Sequence, residues 1–152
     1  MLEEWLIDGY NLLHALNALS QWRGLSREKF LILLADFAAA RDRRVTVVLD
    51  GKGNPDEFQA YLTKSFSVLY SQDVSADTCI EKCLYERRKE ASFVVVTHDR
   101  AIASMARGAG ARVMSAGDIL ELLKTDRKNA EELSFKQDVR AHGFHRPFKD
   151  KL

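Results

Sequence analysis

The chain has 152 residues, of which 46% are hydrophobic and 30% charged, and its formal net charge is +1. This suits one soluble globular domain with a real core, and the near-neutral balance does not advertise nucleic-acid binding, so any basic surface must be local. No apolar run approaches the ~18 residues of a membrane-spanning helix, the acidic start at Glu3 and Glu4 lacks the basic n-region of a signal peptide, and Cys79 and Cys83 make no disulfide framework.

These features lead to the expectation of a cytoplasmic protein with no membrane association. The first apolar run, Trp5-Leu6-Ile7, ends in Asp8 and is followed by Gly9-Tyr10-Asn11. It reads as a buried strand that leaves a carboxylate at the carboxyl edge of a sheet. Gly9 permits a sharp exit, Asn11 is a cap for the next helix, and that helix is expected over Leu12–Leu19. Ser26 is the expected N-cap of a second helix, whose apolar face is Phe30, Leu33, Leu34, Phe37 and Ala38. Arg43-Arg44 are expected to end it. Val45–Asp50 is β-branched and nearly all apolar, a strand buried on both faces that again ends in Asp-Gly.

A loop follows at Gly51-Lys52-Gly53-Asn54-Pro55, then a short helix over Asp56–Leu62 and a third strand over Phe66–Tyr70. Ser75 caps a helix expected over Ala76–Lys89. Phe93–Thr97 is the fourth strand, with His98 and Asp99 after it. Ala101–Arg107 is helical, Arg112–Met114 is a short fifth strand, and Ser115 or Gly117 leads into a helix over Asp118–Leu123. Strands alternating with helices predict an α/β fold with a parallel sheet and helices on both faces. From Thr125 the rhythm is lost. Asn129–Lys136 reads as one more helix, and Ala141–Leu152 as a basic, aromatic arm.

Asp8, Asp50 and Asp99 each follow an apolar strand, and ligands of open α/β sheets bind outside those carboxyl ends. Asp77 lies at the start of the helix after the third strand, on the same edge, and Glu81 shares its helix face. Carboxylates meeting at one place repel unless a cation sits among them. Oxygen ligands with few histidines or thiolates suit Mg²⁺ or Mn²⁺ rather than zinc, and such an ion leaves positions for phosphate oxygens. The matching chemistry is metal-assisted phosphodiester hydrolysis. Taken singly, each acid has an ordinary structural reading as a turn, cap or solvated charge. It is their common edge that favours a site. Thr97 is placed to bond Asp8 or a metal-bound water, and His98 to serve a local polar role. Cys79 and Cys83 share an apolar stripe and read as buried thiols.

Ile7-Asp8-Gly9-Tyr10-Asn11, Val48-Leu49-Asp50, Ser75-Ala76-Asp77 with Ile80-Glu81, and Val96-Thr97-His98-Asp99 resemble, in order and spacing, the NYN domains of the PIN-like nuclease superfamily, above all the YacP-like bacterial branch. The resemblance covers about Leu2–Leu123. It implies a three-layer sandwich with a five-stranded parallel sheet in order 3-2-1-4-5, a nuclease domain at 1–124 and a C-terminal extension at 125–152. It also implies a Mg²⁺-dependent acidic site and RNA endonuclease activity, with messenger RNA and the ribosome as partners of some relatives. By motif, Asp8, Asp77 and Asp99 match the family's acids most directly; Asp50 matches an acid near the site, and Glu81 matches least directly.

The alternative is a non-catalytic RNA-binding or protein-docking module on the same fold. A dinucleotide-binding domain fails at the missing glycine fingerprint after the first strand. Candidate substrate contacts are Asn11, Lys52, Thr97 and Arg100. In the arm they are Lys136, Arg140, Arg146, Lys149 and Lys151, with Phe144, His145 and Phe148 able to stack on bases. Arg41, Arg43 and Arg44 carry charge too, but Arg43 and Arg44 fall at the amino end of the second strand, away from the acids.

Overall fold

The computed structural model describes residues 3–40, 42–87 and 92–124. Five strands, β1 (Glu3–Asp8), β2 (Arg43–Leu49), β3 (Phe66–Tyr70), β4 (Ser92–Val96) and β5 (Arg112–Met114), form one sheet in the order β3-β2-β1-β4-β5. All neighbouring pairs are parallel. The chain builds outward from β1 first on one side and then on the other, so the strand order reverses beside β1. Open α/β sheets hold their ligands at such a reversal. The register brings Asp8 opposite Val48 and Ile7 opposite Val96, so the carboxyl ends of the three central strands lie level.

Between the strands run α1 (Gly9–Asn17), α2 (Arg27–Ala39), α3 (Ala76–Arg87) and α4 (Arg100–Gly108), with 3₁₀ segments at Ser20–Trp22 and Pro55–Tyr61. A further helix occupies 116–124. The chain divides into two units, Met1–Ile119 and Leu120–Leu152, and the whole sheet belongs to the first. Alternate strand residues serve opposite faces. Leu6, Val48, Phe93 and Val95 pack with Ala76, Ile80 and Leu84 of α3 and Ile102 and Ala106 of α4. On the other face Trp5 meets Phe37 of α2 edge-on, with ring centroids 5.2 Å apart. Cys79 and Cys83 are half-buried against the first cluster, and burial raises both thiols, Cys83 to about 11, which keeps them inert.

Three local expectations change. The first helix starts at Gly9, not Leu12, and Asp8 rather than Asn11 occupies its N-cap position, with no side-chain cap bond. The cause is close packing: a Cβ on Gly9 would lie 2.7 Å from Leu49 Cδ2 and 2.9 Å from the Val48 carbonyl oxygen. Only glycine lets α1 spring directly from β1 across β2. Gly9→Ala is therefore expected to destabilise the protein by roughly 1–2 kcal/mol, despite alanine's better helix propensity, because the neighbouring carbonyl is backbone and cannot yield. An unchanged denaturation midpoint would contradict this.

The second change is at Arg43 and Arg44, which open β2 instead of ending α2. The Arg43 guanidinium lies 3.8 Å from the Phe37 ring centroid and 5.4 Å from that of Trp5. Arg44 and Arg87 pair with the buried Glu4 at 3.0 and 2.5 Å. Basic charge at the amino edge is thus engaged in holding the sheet. The third change is at Asp56–Leu62, where the helix is a 3₁₀ segment over Pro55–Tyr61, with Asn54 Oδ1 accepting from the Asp56 N–H.

Ser26 and Ser75 cap α2 and α3 as expected, accepting from Lys29 N and Thr78 N, each at 3.2 Å. Arg41, residues 88–91 and the extension at 125–152, with its helix at Asn129–Lys136 and its basic and aromatic side chains, lie outside the described residues. No helix among the described residues is long and apolar enough to cross a membrane.

Candidate active site

Asp8 ends the central strand and is 9% exposed. Its carboxyl is pushed up from 3.8 to about 6. Burial is the main cause, because it penalises the charged form. A hydrogen bond donated by the Thr97 hydroxyl to Oδ2, at 3.2 Å, pulls the other way, and the charges of Asp77, Asp99 and Asp50 then add to the rise. One buried acid therefore feels three others, contributed by β2, α3 and the β4–α4 loop.

Each neighbour is fixed by its own chain. Asp99 caps α4, its Oδ1 accepting from Ala101 N at 2.8 Å and Ile102 N at 3.1 Å. Thr97 Oγ1 also accepts from the Asp99 N–H at 3.0 Å, so one hydroxyl joins Asp8 to Asp99. Asp50 Oδ1 accepts from Ala76 N at 3.0 Å, tying the end of β2 to the start of α3. The Ser71 hydroxyl leans on the same oxygen at 3.5 Å and accepts from Gly51 N at 2.9 Å. Asp77 is exposed in the first turn of α3, where the helix dipole favours a negative charge. Glu81 is exposed one turn further on and is not among the charges that act on Asp8.

The remaining sequence candidates occupy the same edge in different ways. Asn11 Oδ1 accepts from the His98 backbone N–H at 2.7 Å, which pins the β4–α4 loop to α1. Lys52 is exposed and turned to Asp73 at 3.0 Å. Arg100 is the exposed first residue of α4. Two sets of partners were not foreseen. His98 Nε2 accepts from Ala116 N at 2.8 Å, so the imidazole links two loops and keeps its proton on Nδ1. Around the end of β3, Arg27 donates to the Tyr70 hydroxyl at 3.4 Å and lies 5.1 Å from the Phe58 ring centroid, while Tyr70 donates to Glu57. Such pairings across the chain leave no short-range signal.

No group of three or more His, Cys, Asp or Glu side chains among the described residues is arranged to hold a metal ion. The donor chemistry nevertheless fits a hard divalent ion: the acids offer only oxygens, and Asp8 carries a penalty for its charge that a cation would remove.

The sheet is parallel in the order β3-β2-β1-β4-β5, and the charges of Asp50, Asp77 and Asp99 act on Asp8 at its carboxyl edge. The YacP-like NYN domain family matches residues 5–151, and the chain belongs to that family. Membership brings a nuclease-type, RNA-related function. Two solved structures are similar in fold. Rae1 (YacP) from Bacillus subtilis is 24% identical with a TM-score of 0.70, over 90% of this chain and 82% of that one. Its W164L mutant is 23% identical with a TM-score of 0.65, over 91% and 82%. No curated protein sequence matches the chain.

Proposed function

We propose that the protein is an endoribonuclease that hydrolyses RNA phosphodiester bonds with Mg²⁺ or Mn²⁺ at the carboxyl edge of the sheet. The observation that carries this reading is Asp8, a buried acid raised to about 6 by burial and by three other carboxylates. A fold does not gather like charges around a desolvated one for stability alone. Asp8, Asp77 and Asp99 would hold the ion, with Asp50 beside them and Glu81 the most distant contributor. When bound, the ion lowers the pKa of a water and neutralises charge on the transferring phosphoryl group.

The chain's own groups do the positioning. Thr97 orients Asp8 and Asp99 through one hydroxyl. Asn11 fixes the loop that carries Asp99 and retains its amide N–H₂ for a phosphate or ribose. Arg100, and Lys52 on release from Asp73, bind backbone phosphates. We assign the nuclease unit to 1–124 and further RNA contacts to the arm at 125–152. Messenger RNA, met at the ribosome in the cytoplasm, is the substrate this reading favours.

The second reading is an RNA-binding or docking module without turnover. One observation favours it: the acids are not drawn together into a ready-made ion site. Incubating the protein with single-stranded RNA separates the two. Cleavage in Mg²⁺ that stops in chelator is expected. Tight RNA binding with no product at any Mg²⁺ or Mn²⁺ concentration would establish the second reading.

A further inference from the structure

On the β5 side of the acids a cleft of about 670 Å³ opens between the β4–α4 loop, α4 and the end of β5. Thr97, the residue that bonds Asp8, forms part of its wall, so the cleft adjoins the residue that holds the buried acid. Arg100, Ala103 and Arg107 line it from α4. Their spacing of three and four residues puts them on one helix face, with the two guanidinium-bearing residues about 10 Å apart along the axis. Both arginines are exposed, and neither makes an ion pair among the described residues.

Facing them are His98 and Ser115. His98 Nε2 is already taken by Ala116 N, which leaves Nδ1–H as a donor. Ser115 Oγ accepts from Asp118 N at 3.2 Å, and its hydroxyl proton is available to donate. The acid of the cleft, Asp118, is engaged in the reciprocal bond to Ser115 N at 3.2 Å. A cavity walled by two arginines that make no ion pair among the described residues, and by two further donors, suits an anion with acceptor oxygens around it. Among the described residues its lining includes no Phe, Tyr or Trp for a base to stack on.

We propose that this cleft holds the sugar–phosphate backbone of the RNA strand next to the scissile bond, with Arg107 as a phosphate contact beyond the catalytic edge. The subsite rests on the endoribonuclease reading for its ligand class. It extends that reading by giving the strand a direction of travel, along α4 toward β5. Because it reads phosphate and ribose, it is indifferent to the base.

The test is equilibrium binding of single-stranded oligo(U) and oligo(A) RNA in chelator, across a salt series, for wild type, Arg107→Glu and Lys64→Glu. Lys64 is exposed near the amino end of β3 and supplies the same charge change on the opposite edge of the sheet. Arg107→Glu is expected to weaken binding roughly threefold to tenfold on both oligonucleotides and to reduce the salt slope by about 0.7, one phosphate contact on a single strand. Lys64→Glu is expected to leave the slope unchanged. The proposal is overturned by an unchanged slope in Arg107→Glu, by an equal change in Lys64→Glu, by a loss on one base only, or by no wild-type binding. Cleavage is read separately in Mg²⁺. A reduced slope without cleavage retains the subsite and removes the nuclease reading, and cleavage with an unchanged slope does the reverse.

Discussion

In chelator at pH 8, Asp8→Asn is expected to be more stable than the wild type. Asp8 titrates near 3.8 in the unfolded chain and at about 6 in the folded one. The folded state therefore holds a proton that the unfolded state has lost between those values. Stability from this group is present below pH 4 and is lost as pH rises through 6. The whole loss is about 3 kcal/mol. Asparagine has nearly the shape of the protonated acid and still accepts from Thr97 Oγ1, so it escapes that loss. The gain over wild type should be near zero at pH 4 and approach about 3 kcal/mol above pH 7, which is roughly 10 °C in melting temperature for a chain of this size. Most substitutions of buried residues destabilise, so the sign is diagnostic. Melting both proteins from pH 4 to pH 8 measures it. A variant that melts lower than wild type at pH 8 would mean that Asp8 is a structural acid with partners that compensate its charge.

The same substitution should abolish cleavage. Asp8→Asn and Asp77→Asn are each expected to reduce Mg²⁺-dependent RNA cleavage by at least about a thousandfold, some 4 kcal/mol of transition-state stabilisation. Glu81→Gln should fall within about threefold of wild type, because Glu81 stands beyond the charges that Asp8 feels. Asp99→Asn is a mixed case. Asparagine still caps α4 through its Oδ1, so helix stability should be retained while the negative charge at the edge is lost. Single-turnover cleavage of one labelled RNA by the four variants, each checked by its melting curve, gives the ordering. Full activity in Asp8→Asn or Asp77→Asn would remove that residue from the site, and loss in Glu81→Gln as severe as in Asp8→Asn would move the ion outward along α3.

The strand ends were the most legible part of the sequence. Apolar runs ending in Asp8, Asp50 and the Thr97-His98-Asp99 turn carry both the sheet and its edge, because a buried parallel strand shows as a continuous apolar run and its first polar residue marks where it emerges. The second role of Asp50 was hidden. Its bond to Ala76 N joins residues 26 apart, and nothing local announces it. Arg43-Arg44 read as a helix stop because paired arginines are ordinarily solvated. Here Phe37 and Trp5 receive one guanidinium and Glu4 the other, partners that only the folded sheet brings together. The start of α1 depends on the clearance between Gly9 and the Val48 carbonyl, which is a matter of packing. Arg107 was passed over although it lies seven residues after Arg100, because periodicity shows a shared helix face and not what that face looks onto. Lys52 was read as a substrate contact, and its ion pair with Asp73, far along the chain, left no local signal.

The central claim is that the gathered acids bind a divalent ion and that this ion enables RNA cleavage. One titration joins the two halves: wild-type protein at pH 8, taken from chelator through increasing Mg²⁺, with melting temperature and RNA cleavage rate measured on the same samples. An ion that binds only the folded protein raises its stability by about 2.7 kcal/mol at a hundredfold excess over its dissociation constant. The predicted result is that stability and cleavage rise over the same Mg²⁺ range, and that Asp8→Asn shows neither rise. A wild-type melting temperature that does not move with Mg²⁺, with cleavage absent or equally fast in chelator, would contradict it.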